Sequence, residues 1–214
     1  MSVRYGVAII PEPSFTARVY RARQLICGQY ASWAAEMHML HLTVVGFFQC
    51  PEDAAESVAA GLGRVARETS RKGGVPLAHQ GVATFPNVAG NKFLDFAVPE
   101  DIRPRTPRNL YALQSNVLEM LGEVYEVVPP NLHFTGDNYW PHITLMQRAA
   151  LPPPVFESAV EFARAVVRDL EVPQTTRAWQ LTLTRFESDA AGDDWDDGRW
   201  ATDLRWKLLA SYPL

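Results

Sequence analysis

Cysteine and long apolar runs are both scarce in this sequence. Cys27 and Cys50 are the only cysteines among 214 residues, which is too few for a disulfide framework, and their spacing fits no zinc motif. No hydrophobic run is long enough to cross a bilayer, and the N-terminal residues have no signal-peptide pattern, so we interpret them as a first β-strand. We therefore expect a cytoplasmic protein without a membrane partner.

Basic charge is also in deficit. The chain has 20 Lys and Arg against 24 Asp and Glu, which gives a formal net charge of −4. Non-specific binding to long nucleic acid needs clustered basic side chains that neutralise phosphates, so we expect no extended nucleic-acid surface. If RNA is a substrate, a short piece or one end of it is expected. The content of 47% hydrophobic and 21% charged residues is typical of a globular domain.

Against this ordinary composition, one short pattern occurs twice. Residues 41–44 read His-Leu-Thr-Val and residues 142–145 read His-Ile-Thr-Leu. On a β-strand, successive side chains point to opposite faces, so each histidine shares a face with its threonine while the two apolar residues share the other face. A strand that packs on a core through its aliphatic residues would hold an imidazole and a hydroxyl roughly 6.6 Å apart, from the ~3.3 Å rise per residue. This spacing suits the binding of a small anion.

The order of predicted elements also repeats, because each half has a motif strand followed by a helix and two strands. We expect residues 1–214 to form one monomeric domain of two pseudo-symmetric lobes, with the motif strands near 39–48 and 140–148. Ser14 is the predicted N-cap of the first helix, and the proline-rich residues 99–107 are the predicted link between lobes. The predicted strands are 4–10, 75–85, 92–98, 179–187 and 199–209, with the two motif strands, and the predicted helices are 15–29, 51–72, 109–123 and 155–170.

Two imidazoles that face each other across a cleft can divide acid and base work at neutral pH. In-line displacement at phosphorus needs both roles, because the attacking hydroxyl or water loses a proton and the departing oxygen gains one. The threonine hydroxyls could hydrogen-bond the non-bridging oxygens and hold the phosphate between the rings. Such a scheme requires neither a metal nor a cofactor.

The paired motifs resemble those of the two-histidine (2H) phosphoesterases, a family that includes bacterial 2′-5′ RNA ligase-like proteins and cyclic nucleotide phosphodiesterases. The resemblance implies an α+β, bilobal fold with two antiparallel sheets that face a central cleft and helices on the outside. It also implies metal-independent chemistry on 2′,3′-cyclic phosphates or 2′-5′ linkages of nucleotides and RNA ends. This sequence has a proline before the second motif, Pro141, but none before the first.

By the same resemblance, His41 and His142 are the acid and base pair, and Thr43 and Thr144 bind phosphate. The residues alone do not decide which histidine is the base. A catalytically silent nucleotide or RNA-end binding module is the alternative function, although retention of both histidines and both threonines counts against it. An interaction protein with the motif residues in its core is a third hypothesis.

Four neighbours of the motifs are further candidates for substrate binding. Arg148 continues the His142 face by parity and either reaches a phosphate or lies as a solvated charge at the strand end. Phe47 continues the His41 face, and Tyr139 and Trp140 border the second motif. Each of these aromatic residues either stacks on a base or packs in the core or at its rim.

The remaining histidines and acidic residues predict no metal site. His38 and His41 form a His-x-x-His pair, but on a strand they would point to opposite faces, and no third ligand is evident. His79 and His133 lack a matching neighbour and are expected to be surface or hydrogen-bonded histidines. The acidic run at 189–197 lacks the register of a calcium loop and is predicted to be a solvated turn.

Overall fold

Eight β-strands and four α-helices make up the regular structure in the described part of the chain. A computed structural model of the protein describes residues 1–79, 81–86, 92–97, 107–124, 139–147, 149, 151–195 and 198–214. The strands are β1 (Ser2–Pro11), β2 (Leu42–Phe48), β3 (Pro76–Ala78), β4 (Gly81–Pro86), β5 (Lys92–Ala97), β6 (His142–Met146), β7 (Thr175–Ser188) and β8 (Arg205–Pro213). The helices are α1 (Pro13–Gln29), α2 (Ala55–Arg71), α3 (Pro107–Val124) and α4 (Pro153–Asp169).

All pairings between these strands are antiparallel, and the strand order is β3-β7-β1-β2-β6-β5-β4, with β8 also paired to β7. The predicted combination of helices with antiparallel sheet is therefore confirmed. Two sheets were predicted, but the described strands form one sheet. The motif strands β2 and β6 are neighbours in it and pair at Leu42 and Ile143. Two groups of strands are thus joined at the apolar residue that follows each motif histidine.

The hydrophobic core lies on the face of the sheet opposite to the motif histidines. Leu42, Val44, Ile143 and Leu145 are each at most 2% exposed and belong to one large core cluster. Alternation along a strand then directs the histidine and threonine of each motif to the other face. Burial of the aliphatic residues is what fixes the register, since a shift by one residue would exchange the two faces.

The helices bury one apolar face each, as their three-and-four residue spacing predicts. Helix α2 contacts α3, and α1 contacts α4. Gly61 allows the close approach of α2 to α3, because a Cβ at this position would collide with the side chain of Met120. None of the described helices is both long enough and apolar enough to traverse a bilayer.

Three local predictions are wrong. The single strand predicted at 75–85 is two strands, because β3 pairs with β7 whereas β4 pairs with β5. Ser14 was predicted to be the N-cap of α1, but the helix begins at Pro13 with Glu12 as its N-cap, so Ser14 lies inside the first turn. Proline suits the opening position because its nitrogen has no hydrogen to donate. The closing strand was expected to begin at residue 199, yet Arg199–Thr202 is a 3-10 helix that follows the left-handed Gly198 (φ 72°), and β8 begins at Arg205. Most of the predicted 99–107 link lies outside the described residues.

Candidate active site

The first motif histidine lies immediately before β2 and is oriented by its own backbone. The Nδ1 of His41 lies 2.8 Å from the carbonyl oxygen of Met39. A carbonyl can only accept, so Nδ1 carries the proton, and Nε2 is the nitrogen with a free lone pair when the ring is neutral. The ring orientation and the tautomer are both fixed by this one contact.

The second motif repeats this arrangement. The Nδ1 of His142 lies 2.9 Å from the carbonyl oxygen of Trp140, again two residues earlier in the chain. The indole of Trp140 packs against the imidazole, with ring centroids 4.8 Å apart and an angle of 32° between the planes. Both histidines therefore present the same nitrogen for proton transfer, although the two segments are far apart in sequence.

A cavity of about 170 Å³ brings the two motifs together. Its wall includes all four predicted residues: His41, Thr43, His142 and Thr144. The other lining residues are Gly6, Val7, Ala8, Arg23, Ala35, His38, Val45, Gly46, Phe47, Gln147, Thr184, Phe186, Trp200 and Leu204. The structure thus places the two imidazoles and the two hydroxyls around one cavity.

The electrostatic environment of His41 favours the neutral form of its ring. Burial, together with the nearby charges of His142 and Arg23, lowers the pKa of His41 to about 4, although the contact with the Met39 carbonyl acts in the opposite direction. At neutral pH His41 is therefore a neutral imidazole with its Nε2 lone pair available. The site starts with one defined proton acceptor.

His38 corrects a prediction made from strand geometry. The chain bends between the 3-10 helix Ala34–Met37 and β2, so residues 38–41 are not a strand, and the rings of His38 and His41 lie 4.4 Å apart instead of on opposite faces. Burial and the neighbouring His41 lower the pKa of His38 to about 2. No third His, Cys, Asp or Glu joins them to form a possible metal site within the described ranges.

Arg23 on α1 braces the segment that leads into the first motif. Its Nε lies 3.1 Å from the Glu36 carboxylate, and its Nη2 donates to the carbonyl oxygen of His38 at 3.1 Å. The guanidinium is almost fully buried, so this ion pair is shielded from solvent. Arg23 carries no signal in the sequence, because it occupies the inward face of a helix and belongs to no motif.

Tyr139 supports the site from the core and does not line the cavity. It is 2% exposed, and its hydroxyl donates to the carbonyl oxygen of Thr43 at 2.8 Å. This hydrogen bond ties the approach to the second motif to the backbone of the first. Of the two roles predicted for Tyr139, the structure matches core packing, because the ring is buried among core residues.

The other three substrate-binding candidates have different outcomes. Phe47 lines the cavity, as its parity with His41 predicts. Trp140 packs against His142 and is not among the cavity-lining residues. Arg148 lies outside the described residues, as does His133. His79 is buried and its Nε2 lies 2.9 Å from the carbonyl oxygen of Pro173, which confirms the prediction of a hydrogen-bonded histidine.

A family model for the 2′-5′ RNA ligase superfamily matches residues 11–190, which is most of the chain and includes both motifs. The chain belongs to the 2′-5′ RNA ligase superfamily. The predicted relationship to the 2H phosphoesterases is confirmed. The matched range ends at residue 190, before the 3-10 helix Arg199–Thr202 and before β8. Two residues of the cavity wall, Trp200 and Leu204, therefore lie outside the matched range.

The similarity to solved structures with the same fold extends over nearly the whole chain. The E. coli LigT complex with 3′-AMP has 17% identity and a TM-score of 0.56 over 99% of this chain and 97% of its own. TT0787 of Thermus thermophilus has 20% identity and a TM-score of 0.55 over the same shares, and a further phosphoesterase has 15% identity and a TM-score of 0.54 over 100% of this chain and 99% of its own. No curated protein matches the sequence.

Proposed function

We propose that the protein is a metal-independent phosphoesterase that acts on 2′,3′-cyclic phosphates or 2′-5′ linkages of nucleotides and RNA ends. The observation that carries this proposal is the matched pair of motifs around one cavity. In each motif, Nδ1 of the histidine is held by the carbonyl oxygen two residues earlier, and the threonine two residues later lines the same space. Superfamily membership supports phosphoesterase chemistry.

His41 is the proposed base, because it enters the reaction neutral. With a 2′,3′-cyclic phosphate, its Nε2 takes a proton from water as the water oxygen bonds to phosphorus. The bond from phosphorus to the 2′ or 3′ oxygen breaks on the opposite side, and His142 gives that oxygen a proton. The product is a nucleoside monophosphate, and proton exchange with solvent restores both rings.

Thr43 and Thr144 are the proposed phosphate ligands. Their hydroxyls line the cavity beside the two imidazoles and can donate to the non-bridging oxygens, on which negative charge develops as the new bond forms. The carbonyl of Thr43 is itself held by the Tyr139 hydroxyl, so one of the two ligands is anchored from the core. Preorganised donors of this kind act without having to reorient during the reaction.

The substrate class is supported from two directions. The net charge of −4 disfavours a long polyanion, and the cavity places two imidazoles and two hydroxyls where a single phosphate group can bind. Structures of E. coli LigT, which has the same fold, have been solved with 3′-AMP and with phosphate. We extend the binding of phosphate and of a nucleoside monophosphate to the present protein as part of the proposal.

The deciding experiment measures hydrolysis of nucleoside 2′,3′-cyclic phosphates by the wild type and by His41→Ala and His142→Ala, with and without EDTA. Each variant is expected to lose at least about 100-fold in kcat, since general acid or base catalysis is typically worth ~10²–10⁴-fold, while EDTA leaves the wild type active. His79→Gln is the matched control, because it alters a buried histidine away from the cavity. Wild-type turnover in either alanine variant would rule out the paired mechanism, and nucleotide binding without any product would favour the silent binding module.

A further inference from the structure

The inward face of α3 contains a buried amide among apolar side chains. The buried apolar residues of this face are Leu110, Leu113, Val117, Met120 and Leu121. Gln114 lies among them and is only 1% exposed. A buried amide is costly unless it is hydrogen-bonded, and the Nε2 of Gln114 donates to the carbonyl oxygen of Val44 on β2 at 2.9 Å. The helix therefore has a directed polar contact with the strand of the first motif.

The acceptor of this contact belongs to a β-bulge in the first motif strand. Along the β1–β2 ladder, the pairing passes from Thr43 with Ala8 to Val45 with Val7, which is a step of one residue on β1 and of two on β2. Val44 is therefore the extra residue of the bulge. A bulge interrupts the regular ladder at its extra residue, and here the Val44 carbonyl accepts from a helix side chain. The amide of α3 thus supplies a donor at the point where the strand pairing is irregular.

The bulge directly follows Thr43, the proposed phosphate ligand. The Thr43 carbonyl accepts from the Tyr139 hydroxyl at 2.8 Å, so two consecutive carbonyls of β2 are held by side chains from other segments. Thr43 also lines the cavity that contains the two motif histidines. Bulges bend a strand and re-aim its side chains, so the direction of the Thr43 hydroxyl depends on how the bulge is held.

We propose that Gln114 is a positioning residue, which holds the bulge at Val44 in the geometry that directs the Thr43 hydroxyl towards the substrate phosphate. The inference rests on the proposed function, because Thr43 is a phosphate ligand only in that scheme. Gln114 is not among the described residues that line the cavity, so it acts through the β2 backbone and not by contact with the substrate. Misplacement of a group in an active site by about 1 Å can cost ~10²-fold in rate, so a contact of this kind can affect turnover.

The test removes the amide in the presence and in the absence of the hydroxyl that it is proposed to position. Gln114→Met keeps the length of the side chain but loses the donor. Val117→Ala is the matched control, because it removes buried apolar volume from the same face of α3 and leaves the contact with Val44 in place. Each change is made in the wild type and in Thr43→Val. Each protein is assayed for kcat and KM with a nucleoside 2′,3′-cyclic phosphate, for its thermal midpoint, and by titration calorimetry with inorganic phosphate.

With the Thr43 hydroxyl present, Gln114→Met is expected to lower kcat and to weaken phosphate binding, each by roughly three- to tenfold, since the net contribution of one hydrogen bond is of this size. In Thr43→Val the same change should alter both quantities by less than about twofold, because no hydroxyl remains to be misdirected. Val117→Ala should lower the thermal midpoint by at least as much as Gln114→Met, yet change kcat by the same factor in both backgrounds. Gln114→Leu, which removes the donor with a side chain of different shape, should reproduce the result of Gln114→Met.

An equal loss from Gln114→Met in both backgrounds, or no loss in the wild type, would overturn the positioning role, as would the failure of both Gln114 variants to fold. Calorimetry needs no turnover, so the phosphate result is separate from the hydrolysis assay. A protein that shows the coupling in phosphate affinity without cleaving the cyclic substrates would contradict the proposed function and leave the positioning role supported. An active enzyme without the coupling would contradict only the positioning role. A protein that neither cleaves these substrates nor binds phosphate would contradict both.

Discussion

The environment of His41 predicts an unusual acid limb in the pH–rate profile. If His41 is the base, kcat/KM falls when the ring of the free enzyme is protonated. An ordinary histidine with a pKa of 6.5 would be only about 9% neutral at a pH of about 5.5, whereas a pKa of about 4 leaves about 97% in the neutral form. The structure therefore predicts about tenfold more activity at this pH than an exposed histidine base would give.

The assay is kcat/KM for a nucleoside 2′,3′-cyclic phosphate between a pH of about 4.5 and 8, with far-UV circular dichroism at each pH to show that the protein is folded. Arg23→Gln supplies the internal comparison, because removal of the nearby positive charge should move the acid limb to higher pH. An acid limb centred near a pH of about 6.5 in the wild type would refute both the depressed pKa and the assignment of His41 as base. An unshifted limb in Arg23→Gln would refute the part assigned to the guanidinium.

Two further predictions concern the residues that support the site. Tyr139→Phe removes the hydrogen bond to the Thr43 carbonyl and should lower the free energy of unfolding by about 1 kcal/mol in urea titrations. Tyr139→Phe should also lower kcat more than the control Tyr111→Phe, which removes a hydrogen bond of equal length to the carbonyl oxygen of Tyr139. Equal effects of the two substitutions on kcat would contradict an anchoring role for Tyr139. Burial lowers the pKa of His79 to about 4. Between pH 6.5 and 4 the unfolded chain therefore binds a proton at this histidine that the folded chain does not bind. The free energy of unfolding consequently decreases as the pH falls from the ordinary histidine value of 6.5 towards 4. His79→Gln should reduce this pH dependence by about 1.4 kcal/mol per pH unit near a pH of about 5, and a curve parallel to that of the wild type would show that His79 does not contribute.

The common face of the histidine and threonine in each motif could be predicted from sequence because strand alternation is a short-range property. The apolar residue between each histidine and threonine needs burial, so the polar pair must face the other way, and Leu42 and Ile143 are both buried as this reasoning requires. Helical faces could be predicted for the same reason, since their periodicity is also local.

Contacts between segments that are distant in the sequence could not be predicted from local periodicity. The neighbourhood of His38 and His41 depends on a bend that periodicity does not reveal, and the brace from Arg23 comes from a helix with no motif. Thr184 looks like one of several threonines on an alternating strand, and nothing in its local sequence marks it as a residue of the cavity wall. The two predicted lobes remain a prediction.

The single residue pair between β2 and β6 has a consequence for how the site can change shape. Leu42 and Ile143 each lie between the histidine and the threonine of their motif, so the residue pair that joins the two groups of strands passes through the middle of the candidate site. A twist or opening about this residue pair would move one imidazole and one hydroxyl together relative to the other pair, while each pair keeps its own spacing. Any change in the angle between the two strands would therefore alter the separation of the two half-sites, not the spacing within either motif, and would strain the hydrogen bond from Tyr139 to the Thr43 carbonyl.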